Sequence, residues 1–160
     1  EIGEVDILIN NAGVQDSGRD IDVNLRGTIY CTEKYGIQPN IKAIIMTASV
    51  SAHNGAEFPE YCASKGGVLA YTKNVALRVA KYGATCNSIS AGGVITELNA
   101  HILENKSLWD QVMAETLIPK WATVEEMAEW TYFLAVVNKS MTAQDVLIDN
   151  GEIAKANFVW

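Results

Sequence analysis

Tyr61 and Lys65 stand four residues apart, the spacing that puts two side chains on one face of a helix about 6 Å apart along its axis. A phenol whose pKa lies near ~10 is a poor proton carrier at neutral pH. A neighbouring ammonium favours the phenolate and lowers that value. Reaching the working range takes ~2–3 units, or ~3–4 kcal/mol, much of which a close lysine in a partly dry cleft can supply. The pair is therefore equipped for general acid/base work. Tyr30 and Lys34 have the same spacing and serve as a control. They fall mid-helix beside Glu33 and read as a solvated face.

The surroundings of Tyr61 and Lys65 are different. Ser49 ends an apolar run twelve residues before Tyr61, where its hydroxyl can meet a substrate oxygen held by the tyrosine. Ser51 is the rival for that bond, but it lies past the expected strand end. Small residues after the tyrosine (Cys62, Ala63, Ser64) leave room for a large planar ligand. His53 and Asn54 read as loop residues facing solvent.

Elements must hold these groups in place. Residues 5–9, 41–48, 84–90 and 144–148 are short apolar runs bounded by turn formers, which predicts four strands. Helical patterns lie between them at 22–35, at 58–83 and at 96–121. Another follows at 123–137, opened by a capping box over residues 123–126. Apolar strands alternating with helices predict an α/β fold, a doubly wound parallel sheet covered on both faces. With no repeat or linker, residues 1–160 read as one domain. Ligands in such sheets bind at the carboxyl ends of the strands. The polar and glycine-rich segments 10–13, 49–55 and 91–96 fall there. The stripe Leu69, Thr72, Ala76 and Val79, on a helix rich in small residues, reads as plain core or as a face that another helix approaches closely, the second being favoured.

Composition narrows the class. Apolar residues make up 49% and charged ones 19%, as in ordinary globular proteins. A net charge of −7 argues against nucleic acid as a partner. No apolar run approaches the ~20 residues that cross a bilayer. Cys31, Cys62 and Cys86 are scattered and the two histidines are far apart. That gives no disulfide framework and no metal site, and it suits a reducing, cytoplasmic setting.

Taken together these motifs resemble the short-chain dehydrogenase/reductase family over nearly the whole chain. Residues 10–13 (NNAG) match its turn against the cofactor's adenosine side, with Asn11, Ala12 and Gly13 as cofactor contacts. Asn24, in VNLRG, resembles the family's catalytic asparagine, which positions the lysine. Ser49 resembles the substrate-orienting serine, and YCASK at 61–65 the YxxxK core. The resemblance implies that Tyr61 is the general acid/base, while Lys65 lowers its pKa and holds the nicotinamide ribose. Residues 87–96 resemble the loop that grips the nicotinamide, through Gly92, Val94 and Thr96. It further implies a Rossmann-like fold, NAD or NADP as cofactor and a small-molecule alcohol/carbonyl substrate. A homodimer or homotetramer is implied as well.

The departures are specific. Ala91 stands where the family usually has proline, and losing that fixed φ predicts a looser loop. Only ten residues separate Gly13 from Asn24, which predicts fewer substrate contacts. With the polar segment 51–54, this hints at a sugar or polyol. The glycine-rich phosphate turn is absent, so the sequence corresponds to the family's catalytic portion without its first βαβ half. Such a sheet is expected to expose an edge and an apolar face. Two other functions remain open at this level. One is nucleotide-sugar epimerase-type chemistry, and the other a non-catalytic binding module. In the segment 96–121, His101, Trp109, Met113 and Trp121 are expected to act partly as a substrate lid and partly as its packing. Trp160 is a candidate cap for a neighbouring subunit's site.

Overall fold

A computed structural model describes residues 3–56 and 58–155; Trp160 lies outside them. The predicted runs form β1 (Ile7–Asn10), β2 (Ala43–Ser49), β3 (Thr85–Ala91) and β4 (Asp145–Ile148). They pair in parallel in the order β1-β2-β3-β4, with Ile7 opposite Ala43, Ala43 opposite Thr85 and Ser88 opposite Asp145.

Side chains alternate across a strand, and β2 uses both faces. Ile44 and Met46 join Val68, Val75 and Val79 on one side, and Ile45 joins Ile89 and Leu134 on the other. The first side is covered by α1 (residues 21–36) and α3 (Pro59–Val79), the second by α6 (Val124–Tyr132) and its extension Phe133–Val137. The expected doubly wound, Rossmann-like α/β arrangement is present. Glu33 on α1 accepts from Tyr71 and is held at both oxygens by Arg78 on α3. Those bonds, Arg78's first, keep its carboxyl down at about 2.

Several expectations need correction. Asn10 ends β1 inside the core rather than starting a turn. It is buried, and its Nδ2 donates to Thr32 Oγ1 at 2.9 Å and lies 3.2 Å from Met46 Sδ. The stripe on α3 is not a free face: Thr72, Ala76 and Val79 are buried against the sheet. Their small size lets α3 approach β2 and β3 closely; helical spacing looks the same for a core face and an interface. The control pair behaves as expected, with Tyr30 exposed.

The segment 96–121 is broken rather than one helix. A short turn Glu97–Asn99 leads into α4 (Ala100–Leu103), and α5 spans Lys106–Met113. Asn105 restarts the helix by accepting from the Leu108 amide at 3.1 Å; such side-chain bonds make asparagine a cap rather than an interior residue. The capping box at Thr123 and Glu126 is formed. The expected edge and apolar face are both found. β1 is an outer strand, and Ile7 and Ile9 are exposed beside Tyr132 and Val136.

Candidate active site

Three elements converge at the carboxyl ends of β2 and β3. Ser49 closes β2. Extended Phe58 leads into Pro59 at the first position of α3, a residue whose fixed φ and missing N–H suit a helix start. The first turns of that helix then carry Tyr61 and Lys65. Ser49, Tyr61 and Lys65 all line one cavity of about 530 Å³, together with Gly92, Gly93 and Trp121. Ser51 is buried behind, its amide donating to Ser49 Oγ at 3.2 Å and its own Oγ 3.2 Å from the same atom.

Lys65 is only 4% exposed. Its Nζ lies 5.7 Å from the centre of the Tyr61 ring and donates to the Thr47 carbonyl at 2.9 Å. Burial lowers the pKa of this ammonium to about 8, with the Asp20 carboxylate pulling the other way. A desolvated cation beside a phenol is the arrangement that stabilises phenolate. Cys86, by contrast, is pushed up to about 12 by burial, which leaves its thiol a poor nucleophile.

Asn24 does not line the cavity. It is buried behind it, where Oδ1 accepts from the Val14 amide at 2.8 Å and Nδ2 donates to the Val14 carbonyl and Ser64 Oγ. Gly13 is packed between: a Cβ there would sit 3.2 Å from Asn24 Oδ1 and 3.5 Å from Lys65 Nζ. Asn11 accepts from Thr47 Oγ1 at 3.0 Å. It lines a second, mainly apolar space of about 760 Å³ that shares Thr47, Ala91, Val94 and Thr96 with the first. Ala12 is exposed and lines neither.

The loop after β3, where Ala91 stands in place of proline, is tied to two other segments by backbone hydrogen bonds. Gly92 N bonds Ile148 O, Ile95 N bonds Ala122 O and Ala122 N bonds Gly93 O. Gly92 has no room for a side chain, because its Cβ would lie 2.9 Å from the Asp149 backbone. A Cβ on Gly93 would lie 2.0 Å from Trp121 Nε1. Trp121 in turn meets Trp109 edge to face, centroids 5.4 Å apart. Gly93→Ala should therefore expel the indole, costing roughly 1–3 kcal/mol and shifting tryptophan emission to the red. Urea unfolding with emission spectra checks this, and an unchanged midpoint and spectrum would contradict it.

Some lining groups had no sequence signal. Gln15 and Glu152 reach the cavity from segments without motif or periodicity, and the Thr47 carbonyl is a backbone group. Among the lid candidates, His101 and Trp121 line the cavity, while Trp109 supports Trp121. His53 is exposed, as expected, but it lies in the helical turn Ser51–Asn54 and its Nε2 is 2.8 Å from Asp145 Oδ2. Among the described residues no cluster could hold a metal, and no helix is long and apolar enough to cross a membrane.

A family model described as enoyl-(acyl carrier protein) reductase matches residues 1–152. An uncharacterized oxidoreductase of Bacillus subtilis is 35% identical over 178 residues, covering 95% of this chain and 64% of that protein. A 3-oxoacyl-acyl-carrier-protein reductase of Staphylococcus epidermidis is 28% identical, with coverages of 94% and 68%. The chain thus spans about two-thirds of the length of these curated relatives. Among solved structures, a gluconate 5-dehydrogenase of Burkholderia cenocepacia in complex with NADP and tartrate superposes with a TM-score of 0.85 at 27% identity. The match covers 97% of this chain and 67% of that one.

Proposed function

The chain belongs to the short-chain dehydrogenase/reductase family, and from that premise we propose that it forms the catalytic portion of an NAD(P)-dependent oxidoreductase interconverting an alcohol and a carbonyl. The observation that carries this reading is the buried Lys65 ammonium beside Tyr61, facing the same cavity as Ser49. A charge in that position is costly to the fold, and proton transfer at Tyr61 is the use that justifies it. A non-catalytic module has no such use.

The space along Asn11, Thr47, Val94 and Thr96 is largely apolar and adjoins, through Thr47, Val94 and Thr96, the cavity that Gly92 and Gly93 line, so these residues fit a dinucleotide. When bound, the nicotinamide supplies or accepts the hydride. Ser49 Oγ donates to the substrate oxygen and orients it. Tyr61 Oη gives the proton to that oxygen in reduction and takes it back in oxidation. Lys65 holds the phenolate form through its charge and fits the ribose hydroxyls. Asn24 acts at one remove, tying the 11–14 segment through Val14 beside Lys65. Gly13 belongs to that segment, and exposed Ala12 beside it fits the adenosine side.

The substrate fits a small polar alcohol such as a sugar or polyol, favoured by the short 13–24 connection and by Gln15 and His101 on the cavity wall. Within the polar segment 51–54, His53 is engaged by Asp145 rather than directed to a substrate. A homodimer or homotetramer follows from the family, with its contacts away from Thr72, Ala76 and Val79. The scattered free cysteines favour a cytoplasmic setting.

The test is transfer itself. The complete protein would be given reduced NAD or NADP deuterated at the transferable position, with sugar lactones, ketoses and 3-oxoacyl thioesters as acceptors. Deuterium at the carbinol carbon of a product is expected. No transfer to any acceptor with either cofactor would overturn the reading.

A further inference from the structure

Ser49 depends on a short segment with little stability of its own. Its Oγ is fixed by Ser51, and Ser51 opens α2 (Ser51–Asn54), a single turn ended by Gly55 at φ 70. One turn does not hold itself together in water, because nucleation is unfavourable and no propagation follows. Its position must come from contacts outside it.

His53 makes one that is polar and reaches two other strands. From the middle of α2 its Nε2 reaches across the sheet to Asp145 Oδ2 at 2.8 Å and lies 3.2 Å from Ser90 Oγ. Asp145 is itself braced, since Oδ1 accepts from Ser88 Oγ at 2.6 Å and the two residues are ladder partners on β3 and β4. A carboxylate facing Nε2 requires the proton on that nitrogen. The serine and the aspartate approach the same nitrogen, so the cluster is no proton relay of the nucleophilic kind. It is a strap.

We propose that His53 is a positioning residue. By tying α2 to Asp145 and Ser90 it sets Ser49 Oγ at the height where Tyr61 meets the substrate oxygen. This rests on the oxidoreductase reading above. A donor displaced by about 1 Å can cost as much as roughly 10²-fold. Losing the strap moves Ser49 without removing it, so the expected loss is smaller.

The test uses the complete protein. His53→Ala should lower kcat about tenfold with cofactor affinity unchanged, and His53→Gln, which keeps a donor, should recover most of it. In a Ser49→Ala background His53→Ala should cost nothing further, because coupled residues are non-additive. Amide exchange at residues 53–55, whose N–H groups bond Val50 and Ser51, should quicken in His53→Ala. Equal losses in both backgrounds, or unchanged exchange, would overturn the proposal. Failure of the parent reading looks different: the wild type then transfers no hydride, and the exchange rates on the same samples still decide whether the strap exists.

Discussion

Tyr61→Phe in the complete protein is expected to lower turnover by about a thousandfold, within the range that positioned proton transfer contributes, while NAD(P)H affinity changes by less than about twofold. The substitution removes one oxygen and keeps the ring that Lys65 faces at 5.7 Å. The cavity and α3 should be undisturbed, since Tyr61 is half-buried at the helix start rather than in the core. Steady-state kinetics with a fluorescence titration of the reduced cofactor separates the two effects. Turnover near that of the wild type would move the proton chemistry away from Tyr61. Equal loss of turnover and of cofactor affinity would make the tyrosine a binding residue instead.

Lys65→Met should do two opposite things: remove turnover and strengthen the fold. Burial takes the pKa of Lys65 from 10.5 to about 8, so the folded state disfavours the ammonium by ~3 kcal/mol at ~1.36 kcal/mol per unit. The bond to the Thr47 carbonyl returns ~1 kcal/mol. A methionine of similar length fills the space without charge, leaving a net gain of about 1–2 kcal/mol at neutral pH. The sign with pH follows from the lowered value. The penalty is complete below about 8 and fades as pH rises towards 10.5, because there the unfolded chain also gives up its proton. Urea unfolding of wild type and variant at pH 7 and near pH 10.5 checks both points. A variant less stable than the wild type at pH 7 would mean that the ammonium is better satisfied than its surroundings indicate.

Much of this was readable in the residues because the signals were local. The strands are continuous apolar runs, and all four lie within two residues of where the pattern put them. Tyr61 and Lys65 share a face by spacing alone, and Ser49 sits at a strand end that had to be near them. The failures have a common cause in distance along the chain. The His53–Asp145 pair spans 92 residues, and no periodicity links its members. Trp121 packs on Gly93 across 28 residues, through a glycine whose necessity shows only when the indole is in place. The stripe on α3 failed for another reason: a row of small residues says that something comes close, but not whether it is a sheet or another chain. Asn10 misled because asparagine is common in turns, whereas here its amide finds Thr32 inside the protein.

The outer strand β1 has a consequence for anyone handling these residues by themselves. One row of its backbone N–H and C=O groups faces away from β2, next to exposed Ile7 and Ile9. An apolar, unprotected strand of that kind is a template for adding further strands. Colloidal behaviour will therefore depend on this short stretch, and a lysine at Ile7 or Ile9 would act as a gatekeeper against fibrous or amorphous growth.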